Sequence, residues 1–246
     1  MTRVVGYAHR GFAPDGAENS MAAFQAAVAL GYRHLETDAR VTADGVAVAF
    51  HDDRLDRVTN HTGRLERQPW SRVRQARIQG REPIPELAAV LAEFADCFIN
   101  IDVKSDAAIG PTLDAVRRAG AWSRVRLAAF SHRRLLALRT AAGPAVASAL
   151  SPAEVLACAT RRELPHRAGR SGVGLAAQVP TGWSRFALVT RGFVEHAHRL
   201  GVQVHVWTIN DRAEMQRLID LGVDAIMTDR ADVLKAVLTE RDAWPS

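Results

Sequence analysis

Apolar, β-branched runs alternate with Ala- and Leu-rich stretches of helical period along the whole of this 246-residue chain. A parallel sheet demands that pattern, because each strand needs a crossover, usually a helix, before the next strand can lie beside it in the same direction. Nine runs have strand character: residues 4–8, 34–38, 46–50, 98–103, 125–130, 145–150, 173–178, 203–207 and 224–227. Helical period fills 20–30, 85–94, 110–119, 131–141, 152–160, 190–200, 212–221 and 231–238. Ser20, Ser131 and Asp211 stand where helix N-caps belong, and Gly31, Gly120, Gly201 and Gly222 where helices should stop. The length suits one eight-stranded α/β barrel, a fold of ~250 residues. The expectation is a single, slightly irregular (β/α)8 TIM barrel over residues 1–246. Nine candidate strands for eight places leave two options. Either 46–50 pairs irregularly across the turn at 42–45, or one of the runs near 145 and 173 is not a barrel strand. The least regular stretches, 54–83 and 161–170, read as long loops with short helices that serve as rims of a site rather than as linkers.

Composition narrows the function classes. The net charge of +5 raises the question of nucleic acid, whose binders gain affinity by displacing counterions. Here the basic residues are spread through loops and helix faces with no aromatic interleaving, so no nucleic-acid partner is expected. The densest cluster, Arg64, Arg67, Arg72, Arg74, Arg77 and Arg81, reads as solvated surface, or as a patch that attracts anions. Cys97 and Cys158 lie far apart in apolar surroundings, as buried thiols do in a reducing compartment. No run approaches ~18 consecutive apolar residues, so no integral membrane association is expected. The first strand starts at once in MTRVVGYAHRG, without a secretory apolar stretch. Together these give the expectation of a soluble cytoplasmic protein. Nothing in the composition fixes an oligomeric state.

The chemistry sits at strand ends. In such a barrel the polar residues that close a strand point at one shared cavity. His9, Glu36, Asp38, His51, Asp102 and Lys104 all occupy such positions, in the wordings AHRG, ETD, FHDD and IDVK. Glu36 and Asp38 are two apart and share a face of their strand; Asp102 and Lys104 repeat the spacing. Two imidazoles around paired carboxylates is an arrangement that metal-assisted phosphodiester cleavage needs. Three converging carboxylates repel one another unless a cation compensates them, and a hard divalent ion such as Mg²⁺ or Ca²⁺ binds through oxygen. The competing reading pairs them with Arg10, Arg40 and Lys104. Lys104 is one of only two lysines among 32 basic residues. A compact ammonium beside Asp102 suits the holding of a phosphate oxygen. His34, His196 and His198 read as surface or satisfied core groups, and His205 is free to face either the barrel interior or the helices.

These motifs resemble those of the glycerophosphodiester phosphodiesterases, a family of metal-dependent barrel enzymes. The likeness runs from AHRG at 8–11 through ENSMAAF at 18–24, the specific stretch ETDARVTADGVAVAFHDDRLDRVTNHTG at 36–63, PIPEL at 83–87 and IDVK at 101–104. It ends in VWTIN at 206–210 and GVDAIMTDR at 222–230. The resemblance implies hydrolysis of a small glycerophosphodiester to glycerol 3-phosphate and an alcohol. It makes His9 and His51 the acid and base, Glu36 and Asp38 metal ligands, and Arg10 and Lys104 the phosphate holders, with Trp207 lining the substrate pocket. Glu18 and Asn19 would order the site, while Asp229 has no assigned role. Asp102 stands where the family usually has Glu as the third ligand, one methylene longer. The proline that commonly precedes Glu18 is absent, His61 replaces a glycine, and Ala231 a proline. Two other functions compete: a phospholipase D- or C-type barrel acting on lysophospholipids, and a non-catalytic phosphate-binding barrel. An apolar rim at Trp183, Phe186 and Phe193 would favour lipid.

Overall fold

The computed structural model describes residues 4–144, 146–160, 174–183 and 186–244. Eight parallel strands close into a barrel: β1 (Val5–His9), β2 (His34–Val41), β3 (Phe98–Val103), β4 (Val125–Ala128), β5 (Ala147–Ala149), β6 (Leu175–Val179), β7 (Val202–Val206) and β8 (Ala225–Thr228). Each pairs with the next, and β8 closes on β1 with Val5 opposite Ala225. The fold is a (β/α)8 TIM barrel.

Helices after the strands cover the outside, from Met21–Ala29 to Ala231–Glu240. Their starts are capped as expected. Ser20 accepts from the Ala23 amide, Ser131 from Arg134 and Asp211 from Glu214. Each such cap contributes about 1 kcal/mol by satisfying an amide that has no partner inside its helix. Ser151 and Glu154 add a reciprocal capping box at the helix Pro152–Ala159. Between sheet and helices the apolar side chains form the core, with Leu35, Ile99, Ile101, Leu127, Phe24 and Leu91 all fully buried. None of the described helices is long and apolar enough to cross a membrane.

The ninth strand candidate resolves in favour of irregular pairing. Ala47–Ala49 lies antiparallel on the last residues of β2, with Ala39 opposite Ala49 and Val41 opposite Ala47. A turn closed by the Gly45 amide on the Thr42 carbonyl joins them. The stretch 54–83 is an excursion with its own apolar cluster, including Leu55, Val58, Leu65, Val73 and Ile78, rather than a loose loop. Short helices form there as expected, Leu65–Arg67 and Trp70–Val73, and two two-residue strands, Arg77–Ile78 and Glu82–Pro83, are too short for sequence periodicity to show. Five of the six arginines in its basic cluster are exposed, and Arg77 is partly buried. The stretch 161–170 lies outside the described residues.

Inside the barrel, side chains pointing inward form layers. The lower layer holds Tyr7, Phe98, Arg126 and His205, with His34 beside Tyr7. His205 therefore faces the interior, and His34 is not a surface group. The upper layer carries the residues of the candidate site.

Candidate active site

One cavity of about 670 Å³ at the C-terminal ends of the strands is lined by His9, Arg10, Glu36, Asp38, His51, Asp102, Lys104 and Trp207. All eight candidate site residues thus meet there. The register explains how. His9 is opposite Glu36 across β1 and β2, and two residues further along β2 Asp38 is opposite Asp102 of β3, so the strand ends bring four groups to one end of the barrel. Glu36, Asp38 and Asp102 are all buried. His51 arrives from the antiparallel excursion. The Phe50 amide donates to the Asp38 carbonyl at 3.0 Å, and Arg40 Nε to the His51 carbonyl at 2.8 Å.

The turn after β1 is conformationally demanding. Arg10 has φ 55° and Asn19 φ 58°, left-handed values that cost an L-residue roughly 1–2 kcal/mol. Local hydrogen bonds hold both. The Arg10 amide donates to the Glu36 carbonyl and to Glu36 Oε2, each at 3.1 Å, and the Asn19 amide donates to the Arg10 carbonyl at 2.9 Å. Gly11 in AHRG is required on two counts: its φ is 83°, and a Cβ there would lie 2.6 Å from the Ala23 backbone.

Each imidazole is fixed by a carboxylate. His9 Nδ1 lies 2.7 Å from Asp229 Oδ1, and His51 Nδ1 lies 2.7 Å from Asp52 Oδ1. Asp52 is itself held by Arg57 at 2.6 Å, which also donates to Glu18. Such carboxylate partners orient an imidazole and leave Nε2 for chemistry. Asp229, left without a role by sequence, takes one as the partner of His9. Asp52 escaped notice as a partner although it follows His51 directly in FHDD; a carboxylate adjoining a candidate imidazole was the available signal.

The carboxylates and cations interlock. Lys104 Nζ bridges Asp38 Oδ1 at 2.7 Å and Asp102 Oδ2 at 2.6 Å. Asn19 Nδ2 donates to Asp38 Oδ2 at 2.9 Å, and Arg10 Nε lies 3.1 Å from that oxygen as an ion pair without an aligned hydrogen bond. Arg10 also donates to Glu18 at 2.9 Å. Burial pushes the Glu36 carboxyl well up and Asp38 adds to the rise, with His9, Arg10 and Lys104 opposing. Asp38 is held below the usual range despite burial, through Lys104 and Arg10. Burial raises Asp102, only partly offset by Lys104. For His9, burial opposes the charged form, but Glu36 and Asp229 outweigh it and the pKa rises. The oxygen Asp102 Oδ1 is buried and has no hydrogen-bond partner. Among the described residues, no three carboxylate, imidazole or thiol groups already converge as a cage for an ion. Of the competing readings of these acids, the ion pairs with Arg10 and Lys104 are present, whereas Arg40 reaches Glu66 instead, at 3.9 Å.

Across from this charged wall, Trp207 packs edge-on against Phe130, with ring centroids 5.4 Å apart. The aromatic rim suggested at Trp183, Phe186 and Phe193 does not form as a set. Phe193 is buried in the core beside its helix, and the side chains of Trp183 and Phe186 lie outside the described residues.

Comparison with known proteins agrees with this architecture. The chain is 38% identical over 244 residues to a probable glycerophosphodiester phosphodiesterase 2 of Mycobacterium tuberculosis, covering 98% of this chain and 92% of the relative. A glycerophosphodiester phosphodiesterase structure from Agrobacterium tumefaciens superposes with a TM-score of 0.78 at 23% identity, over 94% of this chain and 99% of the other. A phosphodiesterase from Oleispira antarctica, solved in complex with the product sn-glycerol-3-phosphate, gives a TM-score of 0.76 at 21% identity over 96% of both chains. The glycerophosphoryl diester phosphodiesterase family model matches residues 9–233, from the first candidate imidazole to the start of the last helix. The chain belongs to that family of phosphodiester-hydrolysing enzymes.

Proposed function

We propose that this single-domain chain hydrolyses glycerophosphodiesters to glycerol 3-phosphate and an alcohol, with a divalent cation and the imidazoles of His9 and His51. One observation carries the reading: two imidazoles, each tied through Nδ1 to a carboxylate, line the same cavity as Arg10, Lys104 and three buried carboxylates. The Oleispira relative's bound product is the fragment that the proposed reaction releases.

The donor set suits Mg²⁺ or Ca²⁺. Glu36, Asp38 and Asp102 offer only oxygen, Asp102 Oδ1 is buried and unpartnered, and burial leaves Glu36 short of positive charge. These three residues would hold the ion, with the Lys104 ammonium yielding its place between Asp38 and Asp102. When bound, the ion supplies Lewis-acid stabilisation of charge on the phosphoryl oxygens. Arg10 and Lys104 hold the remaining oxygens as negative charge builds. One imidazole, neutral at Nε2, takes a proton from the attacking hydroxyl. The other, protonated at Nε2, gives one to the departing alkoxide. Asp229 and Asp52 keep the ring tautomers that this exchange needs, and Trp207 walls the substrate side.

The experiment is release of glycerol 3-phosphate from glycerophosphocholine, with and without chelator. Turnover that needs the cation supports the reading. Full turnover after exhaustive chelation removes the metal from it, and phosphate binding without turnover would make the barrel a non-catalytic binder.

A further inference from the structure

The two imidazoles are anchored differently. The carboxylate behind His9, Asp229, accepts from the neutral side-chain amide of Asn210 at 2.9 Å. The carboxylate behind His51, Asp52, is gripped by the Arg57 guanidinium, whose Nε donates to Oδ2 at 2.6 Å and whose Nη2 donates to Oδ1 at 3.1 Å. The adjacent edge of the same guanidinium is turned to Glu18: Nη2 donates to Oε1 at 2.6 Å and Nη1 to Oε2 at 3.1 Å. Glu18 Oε1 also accepts from Arg10 Nη1 at 2.9 Å. One continuous chain of contacts, His51 to Asp52 to Arg57 to Glu18 to Arg10, therefore joins an imidazole to a guanidinium at the phosphate end of the cavity. Both ends of the link are firmly mounted. Leu55 and Val58, on either side of Arg57, are buried in one apolar cluster with Ala17, the neighbour of Glu18. Arg57 also holds the Asp52 carboxyl down at about 2. Yet Arg57 is half exposed, and ion pairs so exposed contribute little to stability.

We propose that Arg57 is a positioning residue of the hydrolysis: by gripping the carboxylate behind each, it fixes the His51 imidazole relative to the phosphate-holding Arg10. The inference rests on the phosphodiesterase reading above. Proton transfer at His51 Nε2 needs the reacting oxygen within hydrogen-bond reach, and Arg10 helps to set where the phosphorus bearing that oxygen sits. The two groups come from different segments, Arg10 from the turn after β1 and His51 from the excursion after β2, so no single strand carries both. Arg57 supplies the missing link. A guanidinium can present two adjacent edges to two carboxylates at once, whereas an ammonium is a point donor and cannot hold both in a fixed plane. Arg57 itself moves no proton; it acts through Asp52 on one side and through Glu18 on the other.

The test measures kcat and KM on glycerophosphocholine, and Kd for glycerol 3-phosphate by calorimetry, with metal-supplemented enzyme. The proteins are wild type, Arg57→Ala, Arg57→Lys, Asp52→Asn and the double variant Arg57→Ala with Asp52→Asn, each rate expressed per folded enzyme from near-UV circular dichroism. Arg57→Ala should lower kcat about 10- to 100-fold, the usual cost of losing the partner that orients a working side chain. It should also weaken glycerol 3-phosphate binding about 2- to 30-fold, through Glu18 and Arg10. In the Asp52→Asn background the same substitution should lower kcat by less than about twofold further, because the route to the imidazole is already cut. Arg57→Lys should stay closer to Arg57→Ala than to wild type, since it restores the charge and not the two edges. Arg54→Ala, which removes a neighbouring exposed arginine paired with Asp56, should match wild type. Wild-type kinetics in Arg57→Ala overturn this inference alone. So does a kcat loss that recurs in full beside Asp52→Asn, an unchanged Kd for glycerol 3-phosphate, or full recovery with lysine. No turnover by the folded wild type overturns the phosphodiesterase reading itself.

Discussion

The barrel interior keeps ionisable groups in two layers, and it treats them in opposite ways. In the upper layer two of the three buried carboxylates, Asp38 and Asp102, face Arg10 and Lys104 at 2.6 to 3.1 Å, and Glu36 lies 3.8 Å from His9 Nε2, so cations stand beside the buried acids. In the lower layer no carboxylate among the described residues lies within ion-pairing distance of Arg126. Its guanidinium donates to Gln203 Oε1 at 2.8 Å and Tyr7 Oη at 3.3 Å, and lies 3.5 Å from the His205 ring nitrogens. That layer stays tolerable because its neighbours stay neutral. Burial and Arg126 push His34 down to about 4, and the same causes hold His205 well below its ordinary value. Compensated charge can be reorganised around a substrate, whereas an uncompensated cation can only be insulated. The difference assigns chemistry to the upper layer and closure of the barrel to the lower.

The largest expected effect lies in the upper layer. His9→Ala and His51→Ala should each lower kcat about 10²- to 10⁴-fold, the usual worth of a positioned acid or base, with little change in KM. Steady-state kinetics on glycerophosphocholine checks this. A nitrophenyl ester, whose leaving group needs no proton, should rescue the variant lacking the acid and leave the variant lacking the base impaired. Loss of less than tenfold in both would make the imidazoles structural and erase the functional contrast between the layers.

Next comes the same substitution made in both layers. Lys104→Met removes the cation between Asp38 and Asp102 and leaves buried carboxylates unpaired, so it should cost about 3–5 kcal/mol in the presence of a chelator. Arg126→Met removes a buried cation that pairs with no carboxylate among the described residues, and should be close to neutral, within about 1 kcal/mol. Urea unfolding of both variants decides. Equal losses would mean that the two layers are not electrostatically distinct.

The strand ends were legible in sequence because an apolar run followed by a polar residue has one meaning in a parallel barrel. That logic placed His9, Glu36, Asp38, His51, Asp102 and Lys104 on one cavity, and family wording added Arg10 and Trp207. The lower layer was not legible. Arg126 and His205 sit within apolar runs, where period-two alternation cannot tell the barrel interior from the helix side when both are buried. The partners of the imidazoles were hidden for another reason. Asp229 is 220 positions from His9 and reaches it only because β8 closes on β1.

The smallest of the expected effects probes the lower layer through pH. His34 and His205 both have folded-state pKa values below the unfolded value near 6.5. Between pH 6.5 and 4 the unfolded chain therefore binds protons there that the folded chain refuses. Stability from this source is complete above pH 6.5 and falls as pH drops towards 4, by about 1.4 kcal/mol for each unit of displacement. In the upper layer Glu36 and His9 are displaced upward and act in the opposite sense, so total stability mixes the two layers. A difference isolates the lower one. Unfolding free energies at pH 7 and pH 5 for wild type, His34→Gln and Arg126→Met should show the acid-side loss reduced in both variants. Removing the imidazole removes the proton acceptor, and removing Arg126 removes the charge that repels the proton. If Arg126→Met leaves the pH dependence as it was, burial alone keeps these imidazoles neutral, and the guanidinium is a bystander in its own layer.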